Sequence, residues 1–188
     1  MSIPPALPET AIYTSCYCEE NIYFLAKSFI DHETYVVFVS NENKTVAIWN
    51  QKRARSPDIP VVWDYHVILV LKTANSSWIY DFDAVNASPI LLEEYMGRSF
   101  LPDVLPAFRC LFRVVPSRLF FETFSSDRSH MICPDGTYSV TPPTYPAIQS
   151  VAHSGSNLMD AFVSMDSDKP YGEVMSLEAF TTWGESRG

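Results

Sequence analysis

Basic residues are scarce in this chain. Thirteen Lys and Arg stand against 22 Asp and Glu among 188 residues, a formal net charge of −9. Such a surface repels a phosphate backbone, so nucleic acid is excluded as an expected partner. It favours a cationic group instead, such as a free amino terminus. No run of eighteen apolar residues occurs, so no membrane-spanning helix is expected. The opening stretch MSIPPALPET has no basic region followed by a continuous apolar one, so no secretory address is read there. Zinc-type spacing is missing too. Cys16 and Cys18 stand one residue apart, Cys110 and Cys133 are isolated, and no His-x₃₋₅-His pair exists, so no metal is expected. Without secretion the four cysteines read as reduced thiols, and the sequons at Asn43 and Asn75 simply mark turns. Internal repeats and low-complexity tracts are absent.

What is present is a globular composition. Apolar residues make up 47% and charged residues 19%. A chain of this size buries roughly two-thirds of its unfolded surface. The Pro-rich residues 1–12 read as an extended lead-in, and 13–188 as a single domain. Ile22, Leu25, Ala26, Phe29 and Ile30 recur at helical spacing, so residues 17–30 are expected to form a helix, with Glu19 and Glu20 in its first turn. The period then shortens. Tyr35–Val39 and Thr45–Trp49 flank Asn41-Glu42-Asn43, a hairpin signature. Val61–Leu71 and Trp78–Phe82 flank a polar turn and read as a second hairpin. Residues 90–100 look helical, 108–115 a strand, 125–157 a long surface segment and 176–183 a short closing helix. The class is α+β, with an irregular C-terminal third.

Cys16 is the first candidate for chemistry. It lies where a loop enters the amphipathic helix, and free N–H groups at a helix start favour a thiolate and a developing oxyanion. Cys18 is the rival thiol. His66, in Trp63-Asp64-Tyr65-His66-Val67, sits at the start of an apolar strand and is the natural base. Asp81 and Asp83 lie on the strand expected beside it. Both share one face at period two, and the register alone does not choose between them. Helix-borne Cys, then strand-borne His and Asp, is the order of a thiol triad. His32, His130 and His153 read as solvated, and Arg53 and Arg55 as a solvated basic turn.

These runs resemble a known family. Tyr13-Thr14-Ser15-Cys16-Tyr17-Cys18-Glu19-Glu20-Asn21, Trp63 to Val67, Tyr80-Asp81-Phe82-Asp83, Ser126-Asp127-Arg128-Ser129-His130-Met131 and the tail from Asn157 to Asp166 are similar to the protein N-terminal glutamine amidohydrolases. The resemblance extends from about Tyr13 to about Trp183. It implies a transglutaminase-like or cysteine-protease-like fold, with an N-terminal helix carrying the Cys packed on an antiparallel sheet carrying His and Asp. It implies the triad Cys16, His66 and Asp81. The implied reaction converts an N-terminal glutamine of a protein to glutamate with release of ammonia, which feeds the N-degron pathway. The implied enzyme is a monomer of cytosol and nucleus, uses no cofactor, and takes proteins or peptides with a free N-terminal Gln. Reading that terminus needs an anion for the α-ammonium. Asp127 is the expected group, with Glu19 and Glu20 behind it. Rival readings are a peptidase or acyltransferase on the same triad, and a binding module that has kept the fold.

Overall fold

The computed structural model describes residues 4–86, 88–153 and 155–186. Its centre is a six-stranded antiparallel sheet. The strands are β1 (Glu33–Ser40), β4 (His66–Lys72), β5 (Ser77–Tyr80), β6 (Ile90–Leu91), β7 (Leu111–Pro116) and β8 (Glu173–Ser176), in the order β6-β5-β4-β1-β7-β8. Two further strands, β2 (Val46–Ile48) and β3 (Val61–Trp63), make a separate ribbon. Helices are α1 (Cys18–Ser28), α2 (Leu92–Ser99), α3 (Ser117–Thr123) and α4 (Leu177–Glu185).

Both faces of the sheet are covered, which is why β1 and β4 read as nearly unbroken apolar runs. Alternation assigns the faces. Val36 and Phe38 of β1, with Val67, Leu69 and Leu71 of β4, join the core under α1, α3 and a π-helical turn at Leu158–Val163. Val37, Val39, Ile68 and Val70 join the opposite core, with Leu92, Tyr95 and Met96 of α2 and Phe180 of α4. Ile22, Leu25, Ala26 and Phe29 of the α1 stripe are buried, whereas Ile30 is 46% exposed past the helix end. Full burial of Ile22, Leu25 or Phe29 stabilises the fold by about 1.5–3 kcal/mol each. None of the described helices is long and apolar enough to cross a membrane.

The structure overturns the first expected hairpin. Both sides of β1 are already filled, by β4 from Val39↔His66 onward and by β7 from Ser40↔Leu111 onward. No edge remains for residues 45–49, so Val46–Ile48 pairs with Val61–Trp63 instead. Asn41 makes the diversion, because its side chain bonds the backbone of Asn43 and Thr45 and also the carbonyls of Ala107 and Arg109. The second hairpin is present as β4 and β5, with Leu69 opposite Tyr80, but its strands are shorter than expected: Val61–Trp63 pairs with β2 instead, and β5 ends before Asp81 and Asp83. Residues 125–157 contain little regular structure, yet Ser125, Ser126, Arg128 and Ile148 are buried, so the segment is anchored rather than superficial. The C-terminal third is more regular than expected, since it contributes the edge strand β8 as well as α4.

Candidate active site

Cys16 lies two residues before α1 in the left-handed region, with φ 66. The helix therefore carries Cys18, and the expected helix-borne thiol precedes it. The turn before the helix is clamped by Asn21, whose side chain accepts from Thr14 N and donates to Thr14 O, both at 2.8 Å. Tyr17 N–H is taken up by Thr14 O at 3.2 Å. A positive φ costs a non-glycine residue on the order of 1–3 kcal/mol, and such strain collects at functional sites. Here it turns the half-exposed Cys16 into a cleft of about 460 Å³. Cys18, Trp63, Asp64, Tyr65 and Asp83 line the same cleft.

His66 opens β4 and points, like Ile68 and Val70, toward the α2 side. It is fully buried, and its ring stacks on Trp63 at 5.2 Å between centroids. Its Nε2 lies 2.9 Å from Asp81 Oδ1. Its Nδ1 has no hydrogen-bond partner among the described residues. Burial alone would lower the imidazole's pKa, but the charge and hydrogen bond of Asp81 outweigh it and the net direction is upward. Burial likewise acts to raise the Asp81 carboxyl, yet His66 holds it at about 2.

Asp81 is fixed from several sides. Gln51 Nε2 donates to Oδ2 at 3.0 Å and Tyr95 OH at 2.9 Å, while Asp83 N–H donates to Oδ1 at 2.9 Å. Asp83 itself accepts from Tyr13 OH at 2.7 Å. His66, Asp81 and Asp83 offer ligand-type atoms within 4.8 Å of one another. Hydrogen bonds within the trio and from Tyr13, Gln51 and Tyr95 orient these side chains.

Around Cys16 the sulfur's close polar neighbours are Arg53 Nη1 at 2.6 Å and Ser15 Oγ at 3.7 Å. The structure thus joins His66 to Asp81 and sets Cys16 against Arg53, while Trp63 and Asp83 connect the cleft to the buried pair. Cys18 is a poor nucleophile by comparison. It is buried, burial pushes its thiol well above the ordinary range, and its sulfur donates to Glu19.

The acidic candidates separate. Asp127 is exposed and accepts from Ser129 N at 2.9 Å, and its bonds to Ser129 hold its carboxyl below the ordinary value. It is not among the residues that line the cleft. Glu20 is buried in a two-pronged pair with Arg128, whose Nε and Nη2 each lie 2.9 Å from a carboxylate oxygen. Glu19 is also fully buried. Its Oε2 accepts from Tyr65 OH at 3.0 Å, and its Oε1 has no hydrogen bond among the described residues. His130 Nε2 stands 3.7 Å from that oxygen, outside hydrogen-bond range, and burial lowers the imidazole's pKa so that it is no firm counter-ion. Burial raises the Glu19 carboxyl to about 7. His32 and His153 are exposed, as expected; His130 is not, since it packs on Tyr65.

A free thiol on a cleft wall, and a buried imidazole–carboxylate pair that reaches the same cleft through Trp63 and Asp83, are the side chains that thiol-dependent acyl chemistry uses. Comparison with known proteins narrows that class. Residues 13–183 match the family described as N-terminal glutamine amidase. A protein N-terminal glutamine amidohydrolase of Homo sapiens is 42% identical over 188 residues, covering 94% of this chain and 90% of its own length. That of Danio rerio is 42% identical over 178 residues, with 90% and 87% covered, and that of Drosophila melanogaster 37% over 177, with 89% and 85% covered. The chain belongs to the N-terminal glutamine amidase family.

Proposed function

We propose that this chain hydrolyses the side-chain amide of an N-terminal glutamine, giving an N-terminal glutamate and ammonia. Family membership over residues 13–183 supports the substrate class. The observation that carries the mechanism is the buried His66–Asp81 pair at 2.9 Å, with His66 Nδ1 unpartnered among the described residues. An imidazole anchored through one nitrogen keeps the other for proton transfer.

Cys16 is the nucleophile. Its thiolate attacks the side-chain carbonyl carbon of glutamine, a C–S bond forms, and the carbonyl π pair moves onto oxygen. The intermediate collapses by breaking C–N, and imidazolium at His66 gives its proton to the departing ammonia. A γ-glutamyl thioester remains. Water then attacks, His66 Nδ1 takes its proton, and cleavage of C–S releases glutamate and the thiol. Asp81 holds the ring and offsets its positive form. In this reading the arrangement is transglutaminase-like, and the rival outcome is attack on the thioester by an amine.

Glu19 answers the need for an α-ammonium receptor better than Asp127 does. An unpaired buried carboxylate oxygen is costly, and a substrate cation removes that cost. Glu19 has such an oxygen among the described residues, next to Tyr65 of the cleft wall, whose hydroxyl it accepts; neither Glu19 nor Asp127 itself lines the cleft, and Asp127 faces solvent. An N-terminal asparagine is one methylene shorter. The lost packing is only about 1–3 kcal/mol, so rejection comes chiefly from misplacing its carbonyl. The product, an N-terminal glutamate, belongs to the N-degron route, with a monomeric enzyme in cytosol and nucleus.

Mass spectrometry of a short peptide with a free N-terminal glutamine tests this. Amide-to-acid conversion raises the mass, whereas spontaneous cyclisation lowers it. Conversion is expected with the native chain only, leaving internal glutamine and N-terminal asparagine untouched. Conversion by Cys16→Ala, or of internal glutamine, contradicts the reading.

A further inference from the structure

The surroundings of Cys16 hold a residue that the triad does not use. Arg53 Nη1 stands 2.6 Å from Cys16 Sγ, and the guanidinium lies 5.8 Å over the ring of Trp63, which in turn stacks on His66. The loop carrying it is not free. Gln51 is bonded to Asp81, Lys52 N–H to Asp83 O at 2.7 Å and Lys52 Nζ to Phe82 O at 2.6 Å. The residues just before Arg53 are therefore tied to the segment 81–83 that carries Asp81. Among the residues lining the cleft, Arg53 is the one cation, and Asp64 and Asp83 are the carboxylates. Tyr17 N–H, one of the backbone donors near Cys16, is occupied by Thr14 O.

We propose that Arg53 is a catalytic residue, the counter-ion of the Cys16 thiolate, whose guanidinium takes up the carboxamide oxygen as negative charge passes from sulfur to oxygen. This rests on Cys16 being the nucleophile. When the C–S bond forms, sulfur loses its charge and oxygen gains it at the adjacent position. Arginine presents five donors and keeps its proton, so it follows the charge by hydrogen bonding alone, and His66 remains the proton carrier. The γ-carboxylate of the product ends on the same cation. The cleft is then polar end to end, with Arg53 for the amide oxygen and the acidic side for the ammonium.

The test uses the full chain with Arg53→Met and Arg53→Lys. Arg53 is exposed, so both variants should melt like the native chain. Alkylation rates with anionic iodoacetate and neutral iodoacetamide are compared at low and high salt, and the modified thiol is mapped by mass spectrometry. At low salt the iodoacetate-to-iodoacetamide ratio at Cys16 should fall about threefold or more in Arg53→Met, and the difference should shrink as salt screens the charge. Lysine should retain part of it. Turnover of the glutamine peptide should fall on the order of 10²-fold in Arg53→Met with KM little changed, as for loss of an oxyanion donor. Modification at Cys16 with an unchanged ratio, or intact turnover, removes Arg53 alone from the mechanism. Modification at Cys18 instead overturns the reading of Cys16 and this proposal with it.

Discussion

His66 Nε2 and Asp81 Oδ1 stand 2.9 Å apart in a fully buried pair, and Asp81 takes two more hydrogen bonds, from Gln51 and Tyr95, on its other oxygen. An imidazole fixed this way has one tautomer and one orientation. Asp81→Asn puts an amide in place of the anion and loses both. A loss of about 10³–10⁴ in kcat is expected, by analogy with carboxylate removal in other triads. Tyr95→Phe removes one donor and leaves the anion, so it should lower kcat only several-fold and leave KM near its native value. Steady-state kinetics on the glutamine peptide decide this, and equal losses in the two variants would show that Asp81 acts only through packing.

The two neighbouring thiols make opposite predictions. Cys16 faces the cleft at a strained backbone position, whereas Cys18 is buried with its thiol held neutral. Cys16→Ser should abolish turnover and leave the melting temperature within a few degrees of native. Cys18→Ala should cost stability, about 1 kcal/mol for a small buried apolar group, and leave the cleft's chemistry running. Thermal melts paired with the mass assay separate these, and activity lost only in Cys18→Ala would reverse the assignment.

Periodicity made α1 and β4 legible in the sequence, because a 3.6-residue stripe and a long apolar run each have one economical burial. The choice between Asp81 and Asp83 was not legible. Extending the observed register from Leu69↔Tyr80 brings Asp83, not Asp81, opposite His66. Pairing stops at Tyr80, and the following turn, held by Ser88 on both backbone groups of Asp81, sends the earlier carboxylate to the imidazole. That depends on a contact seven residues away. Gln51, Arg53 and Tyr95 were hidden for a related reason, since they come from a loop and a helix that carry no local signal of the site. The basic turn at Arg53 looked solvated because sequence cannot show that Gln51 and Lys52 tie it to residues 81–83. The first expected hairpin fails for the same kind of reason, because only the sheet order reveals that β1 has no free edge.

Arg128 shows what anchors the long segment after α3. Its guanidinium spans the Glu20 carboxylate and also donates to the carbonyls of Pro143 and Tyr145. Removing one member of a buried pair strands the other charge, which typically costs 3–5 kcal/mol. Arg128→Ala should therefore destabilise the chain by about that much in urea unfolding, and Arg128→Lys by less but not zero, since lysine lacks the fork. A midpoint unchanged by Arg128→Ala would show that the segment is held elsewhere.

Glu19 gives the chain a pH-dependent liability. Its carboxyl sits at about 7 when folded against an ordinary 4.5, with burial the main cause. Between those values the folded chain holds a proton that the unfolded chain has released. Stability from this group therefore falls as pH rises from about 4.5 to above 7, by about 3 kcal/mol. His66 adds a slope of the same sign, because a raised imidazole stabilises below its unfolded value of 6.5 and loses that contribution as pH climbs through its folded value. Glu19→Gln keeps an acceptor for Tyr65 and removes the charge, so comparison with the native chain isolates Glu19. The two should be nearly equal at pH 5, and the variant more stable by about 1–3 kcal/mol at pH 8. If the same carboxylate receives the α-ammonium, the variant should also raise KM for free-amine peptides at pH 8 while kcat changes little. A KM unchanged alongside the gain in stability would assign Glu19 to the fold and move the ammonium to Asp64 or Asp83, the two carboxylates that line the cleft.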